Sequence, residues 1–291
     1  MGVIAFATPK PYVPPPASAK AYLAGGQTST SSWADSTDEY DPSGDVWTEK
    51  ATFETGRRSL AGTDILGKGY ISQGMKVGNT WDNETNEYSP DSWVTKTNAP
   101  INSIQLAATT ILDKGYWFGG QNVNYCNEYS PDTWTSKTNM LTNRGLQAAS
   151  TILNKGYQYY GWATVGYFRS VDEYDPDTWT SRGLGPLPAR ANLAAATLND
   201  KGYIFGGSTP TDLADCDEYT PTSTWVSKTN LPSPARAWLS AVGINNKAYL
   251  LSGFGSSTYL LDTDEYDPDT WTAKQDMAAG DGKFHTCAFS I

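Results

Sequence analysis

The chain has 291 residues, a net charge of −10, only 18% charged residues and three cysteines. So acidic a chain carries no electrostatic footprint for nucleic acid or anionic lipid. The odd, sparse cysteines Cys126, Cys216 and Cys287 exclude a disulfide framework and fit a reducing compartment. No apolar run approaches transmembrane length, and the short stretch 3–7 lacks the basic lead and the length of a secretory signal.

In chain order, the first segment is a proline-rich arm, residues 1–19, with Pro9, Pro11, Pro14, Pro15 and Pro16. Such a composition is extended and polyproline-like, with no core of its own. Val3, Ile4, Phe6, Tyr12 and Val13 are its apolar side chains, and the arm is expected to anchor the protein by packing them on a partner.

From residue 20 onward one phrase recurs six times. A tyrosine falls at Tyr22, Tyr70, Tyr116, Tyr157, Tyr203 and Tyr249, in steps of 48, 46, 41, 46 and 46 residues. A tryptophan follows at Trp47, Trp93, Trp134, Trp179, Trp225 and Trp271. Self-similarity at this period means stacked copies of one supersecondary unit. Each copy reads as four short strands, A to D. In the third copy, strand A is the small, apolar run 106–112, and Asp113-Lys114-Gly115 is expected to turn the chain, glycine supplying the unusual dihedral. Strand B is 116–120, strand C is 127–129, Ser130-Pro131-Asp132-Thr133 is a second turn, and strand D starts at Trp134. Four antiparallel strands per repeat is the pattern of a β-propeller blade.

The pair of glycines after strand B, the Tyr-Asp-Pro turn and the tryptophan after it resemble kelch repeats. The resemblance spans residues 20–291. Three copies depart from it at the first glycine: Ser72-Gln73-Gly74, Tyr159-Tyr160-Gly161 and Leu251-Ser252-Gly253 keep only the second. The fold expected is all-β: a six-bladed β-propeller of four-stranded kelch-like blades. The first copy begins at strand B, and residues 284–291 have the texture of a strand A with no strand B after them. The C-terminal strand should therefore close the ring on blade 1 and remove two exposed sheet edges. The repeated Tyr, Trp and Glu (Glu39, Glu87, Glu128, Glu173, Glu218, Glu265) read as scaffold, the glutamates bonding a neighbouring turn.

Antiparallel strands put the A–B and C–D turns on one face, which looks uniform from blade to blade. The other face carries the D–A connections and B–C loops of unequal length, 27–37, 75–85, 121–126, 162–171, 208–216 and 254–263. Variable loops on a rigid scaffold are where binding resides. Their aromatics Trp33, Trp81, Trp162, Phe168 and Tyr259, with Tyr125 and Tyr167, are candidate partner contacts. Aligned on the turn lysine, Arg57, Arg144, Arg190 and Arg236 share one position at the start of strand A. Arg58 lies beside the first, Lys283 lies near that position in the closing strand, and Ser103 replaces the arginine in blade 3. In similar kelch domains arginines here contact acidic groups of partners. Two readings stay open: a carboxylate-binding ring at the channel mouth, or arginines that each brace their own rim by pairing with an acid.

Catalytic signatures are missing. One histidine, His285, cannot build the copper site of some kelch-like oxidases. Phosphate-binding, dinucleotide and Gly-x-Ser-x-Gly motifs are absent. No catalytic residue, metal ligand or cofactor is expected. The leading expectation is a non-enzymatic module that binds protein within a larger assembly. Arm, disc and variable face resemble a phage virion- or tail-associated protein, placed in the virion after assembly in the host cytoplasm. The alternatives are a propeller binding a surface glycan through its loop aromatics, or a cytoplasmic adaptor for an acidic peptide.

Overall fold

In a computed structural model describing residues 19–28 and 32–291, the chain forms a six-bladed β-propeller of four-stranded antiparallel sheets. The arm residues Val3, Ile4, Phe6, Tyr12 and Val13 lie outside the described residues. Six innermost strands ring a central channel: Ala61–Ile65, Ala107–Ile111, Ala148–Ile152, Ala194–Leu198, Ser240–Ile244 and Cys287–Ser290. Their alternation places Gly62, Ala108, Ala149, Ala195, Ala241 and Ala288 on the channel wall, where six strands converge and larger side chains would collide. The last of these strands pairs with Ala21–Ala24 in the register Tyr22 opposite Phe289, so the C terminus completes blade 1 as expected.

The A–B turn differs from its sequence reading. The two residues between paired Ile111 and Lys114 are Leu112 and Asp113, with φ of 50° and 62°. Gly115 is in the strand instead. It is required by packing, since a Cβ there would lie 2.5 Å from the Trp117 ring. The glycine pair after strand B also resolves into two roles. The first position has φ of 58–65° in all six blades, a left-handed conformation that Gln73, Tyr160 and Ser252 adopt. The second has φ of 102–131°, outside the left-handed helical well, which explains why glycine alone occupies it.

Two closed circuits of backbone hydrogen bonds join the blades. One residue per blade, just before the innermost strand, donates its N–H to the carbonyl of its counterpart in the preceding blade. The circuit runs through Ser59, Gln105, Leu146, Asn192, Trp238 and His285 and back to Ser59, with N···O distances of 2.8–3.3 Å. All six are left-handed, with φ of 52–64°. Outside it, the second glycine of each blade donates to the carbonyl at the cation position of the next: Gly26 to Arg57, Gly74 to Ser103, Gly120 to Arg144, Gly161 to Arg190, Gly207 to Arg236 and Gly253 to Lys283, at 2.8–3.1 Å.

The repeated side chains form a third layer of contacts. Each strand B tyrosine meets the Glu-Tyr tyrosine of the next blade, as in Tyr22–Tyr88 and Tyr70–Tyr129, with ring centroids 5.2–5.6 Å apart around the whole ring. Burying an aromatic of this size is worth roughly 4–6 kcal/mol gross. Strand D tryptophans reach back instead: Trp134 donates to the Thr97 carbonyl and Trp179 to the Thr138 carbonyl, at 2.9 and 2.8 Å. Beside them Asp132 and Asp177 accept from the Thr97 and Thr138 N–H groups. The glutamates bond the lysine that flanks the adjacent A–B turn, Glu128 accepting from Lys114 at 2.8 Å. Each stays within its own blade, where Glu39, for example, accepts from Tyr22 and Lys20 at 2.6 Å.

Two outcomes follow. Deleting residues 284–291 removes His285 from the inner circuit and bares the Ala21–Ala24 edge of blade 1. It should abolish cooperative melting and cause aggregation, read by near-ultraviolet dichroism and light scattering; a soluble, cooperatively melting truncation would refute the closure. The second concerns acid. Burial alone would raise the Glu173 carboxyl, but bonds from Arg182, Tyr157 and Lys155 outweigh it and hold it at about 2. Its unfolded value is about 4.3. The stabilisation it gives, on the order of 1–3 kcal/mol, is complete above that pH and is lost as pH falls toward 2. Glu173→Gln should therefore melt lower than the parent at neutral pH, and the gap should close below about pH 4.

Candidate functional site

The five aligned cations do not present an open charged ring. Arg57, Arg144, Arg190, Arg236 and Lys283 are each 0–1% exposed. Each turns into its own blade and meets the residue before the Glu-Tyr phrase in strand C. Arg144 contacts Asp172 and Arg190 contacts Asp217, both at 2.6 Å, while Arg236 pairs with Asp264 and Lys283 with Asp38. Arg57 meets Asn86 there and takes its negative partner from Asp82 at 3.1 Å. Of the two readings open from sequence, this geometry favours bracing, because a guanidinium with no accessible surface cannot receive a partner's carboxylate. Blade 3 supports the same logic. Where Ser103 replaces the arginine, Asn127 replaces the aspartate, so neither charge is buried alone.

Arg58 is the exception. It is half-buried on the loop face, donates to Gln27 Oε1 at 2.8 Å and lies over the Trp33 ring at 5.2 Å. The other predicted aromatics stand on separate blades. Trp81 is exposed on the blade 2 hairpin, opposite Met75. Trp162 and Phe168 are half-buried on the blade 4 hairpin, opposite Tyr167 and Gly161. Tyr125 and Tyr167 are exposed. Only Tyr259 joins a larger assembly of rings.

That assembly was not legible as a site in the sequence. Tyr259 packs on Phe254 and Phe284, with centroids 5.8 and 5.3 Å away, and both contact Trp238. Trp238 lies 5.2 Å from the His285 imidazole. Trp238, Phe254 and Tyr259 are half-buried and keep part of their surface in solvent, while Phe284 is buried. The cluster runs into the channel mouth, because Trp238 and His285 belong to the inner hydrogen-bonded circuit. Burial and the charge of Arg58 hold the His285 imidazole well below its usual value, and its Nδ1 meets Ser59 Oγ at 3.1 Å. It is therefore neutral at physiological pH. Gln147 and Asn192 line the same cavity, and their amide oxygens are buried without a hydrogen-bond partner among the described residues. The signal that could have found this site is Trp238 itself, a large ring at a channel-mouth position otherwise held by Ser, Gln, Leu, Asn or His.

Among the described residues, no group of three or more His, Cys, Asp or Glu is placed to hold a metal ion. Cys126, Cys216 and Cys287 are buried free thiols, and burial raises all three above their usual range. No protein-family model and no curated protein matches the sequence. Among solved structures, YjhT is similar: 16% identity and a TM-score of 0.73 over 90% of this chain and 99% of that one. At that identity the likeness shows the fold alone.

The bracing role is testable with the solution blade 3 already uses. Arg190→Ser should cost about 3–5 kcal/mol by stranding Asp217 in the interior. Adding Asp217→Asn should restore a large part of it. Denaturant melts of the single and double variants measure the coupling; purely additive costs would show that the pair is not the reason for the arginine.

Proposed function

We propose that this protein is a non-enzymatic, kelch-like binding module that holds a macromolecular partner on its loop face. The observation that carries the reading is the cluster Trp238, Phe254, Tyr259, Phe284 and His285 at the rim of the channel. Large rings with solvent-facing surfaces, packed on one another, form a rigid contact that loses little side-chain entropy on binding. Arg58 stacked on Trp33 extends it with one accessible cation. The imidazole is held neutral, and its Nδ1 meets the Ser59 hydroxyl, so its ring is available as a flat, uncharged contact surface. The acidic-peptide adaptor loses its chemistry, since four of its five arginines are interior.

The assembly we favour is a phage virion or tail, with the proline-rich arm as the anchor and the loop face free for host recognition. The arm's composition and the rigid, variable face support this. A glycan is the second reading, and a specific observation favours it. A pyranose can lay its C–H face on the half-buried Trp238, whose ring borders the cavity lined by Gln147 and Asn192.

Copurification of the full chain with capsid or tail particles checks the assembly role, and its absence from purified particles overturns it. For the loop face, a glycan array and particle-binding assays on Trp238→Asn with Tyr259→Ala should show at least a tenfold loss. Asparagine suits the left-handed backbone at residue 238, so the fold should persist. Unchanged binding would remove the cluster from the site.

A further inference from the structure

The face opposite the loops carries two departures from six-fold repetition, and both surround the same mouth of the channel. The first is in the A–B turns. Five blades make this connection with two residues of positive φ, the type I′ geometry that favours Asn, Asp and Gly. Blades 5 and 6 comply, with Asn199-Asp200 and Asn245-Asn246. Blades 2, 3 and 4 place Leu66, Leu112 and Leu153 there instead, at φ of 50–51°. These leucines are 67%, 60% and 57% exposed, so burial compensates little. A left-handed leucine costs roughly 1–2 kcal/mol of backbone energy. Three adjacent blades therefore hold an apolar crescent that the fold itself does not need.

The second departure lies just inside that crescent. Two residues along the strand from channel-lining Gly62, Asp64 faces the same way, one residue before the Ile65–Lys68 pair that flanks the turn. Its counterparts are Thr110, Thr151, Thr197, Gly243 and Ser290. Three of those hydroxyls are already committed: Thr197 donates to the Thr151 carbonyl at 2.7 Å, Thr151 to Thr110 at 2.6 Å, and Thr110 to Asp64. The Asp64 carboxylate has no ion-pair or hydrogen-bond partner from another of the described residues, and channel burial raises it to about 6. The lysines that flank the neighbouring turns are held elsewhere, Lys68 by Glu87 and Lys114 by Glu128. A carboxylate without a partner among the described residues thus sits on the channel wall of blade 2, just inside Leu66 at one end of the leucine crescent.

We propose that this mouth of the channel docks a partner polypeptide that inserts a lysine or arginine toward Asp64 and rests flanking aliphatic side chains on Leu66, Leu112 and Leu153. Charge complementarity selects the cation: it neutralises a channel-wall carboxylate that has no partner among the described residues, in a confined setting where screening by salt is weak. The leucines select its neighbours. Both observations are independent of the loop-face reading, since they lie on the other side of the disc.

The probes are immobilised peptides with a central lysine, arginine, norleucine or glutamate, flanked by leucines or by serines, tested against the full chain. Lysine and arginine peptides with leucine flanks should be retained, and the norleucine, glutamate and serine-flanked versions should not. Asp64→Thr, which copies blades 3 to 5, should weaken retention at least tenfold. So should Leu66→Asn combined with Leu112→Asn and Leu153→Asn. That triple change should raise Tm, because asparagine fits the turn, and misfolding then cannot explain the loss. Retention that ignores the central charge, survives either variant, or occurs for no peptide overturns the proposal.

Discussion

The inner circuit of six backbone hydrogen bonds is the constraint on which the remaining architecture rests. Each bond demands a left-handed residue at the head of an innermost strand, and none of the six is glycine. A single residue held there is strained by roughly 1–2 kcal/mol. The circuit persists because every member receives and gives one bond, so no N–H or carbonyl in it is left unmet. The outer glycine bonds then fix the spacing of neighbouring blades, and the tyrosine contacts fill the wedge between them. The backbone alone closes the circuit, so the side chains that project from it can differ: serine, glutamine, leucine, asparagine, tryptophan and histidine occupy one structural position.

Buried charge follows from the same geometry. Because the carbonyl at the cation position is committed to the preceding blade, its side chain must enter its own blade, where it meets strand C. Four blades resolve this with a cation and an aspartate, blade 2 with Arg57 between Asn86 and the acids of its hairpin, and blade 3 with two neutral residues. An interior ion pair contributes little net stability over a well-packed neutral pair. Its effect is directional: a guanidinium that must meet one carboxylate fixes how each D–A connection enters the blade.

The spacing of Tyr, Glu and Trp made the blade, its four strands and the closing strand legible without coordinates, because those residues carry the contacts that every blade must repeat. The turn was misread at Gly115 because the glycine required for packing against Trp117 looks, in one dimension, like a glycine required for a turn. The arginines were legible as a set but not in their direction. Burial depends on which carbonyl neighbour claims the backbone, and composition does not encode that. The matched replacement of Arg by Ser103 and of Asp by Asn127 was visible in the sequence as two separate irregularities and becomes one fact only in register. The aromatic cluster and the leucine crescent share that character. Both are assembled from residues that break the period, on strands brought together by closure.

The seam of the ring has one more implication. Lys20 and Ile291 exchange both backbone hydrogen bonds, at 3.0 and 3.2 Å, in the same way that Ile65 and Lys68 flank their turn. Blade 1 is therefore an ordinary blade whose innermost hairpin happens to be cut, and the disc has no structurally privileged beginning. A circularly permuted chain, joined by a short linker across this gap and opened at the tip of another A–B hairpin, would present the same six blades in the same order. Blade numbering is then a property of the polypeptide rather than of the disc. What distinguishes one sector from another is only the chemistry mounted on its rims.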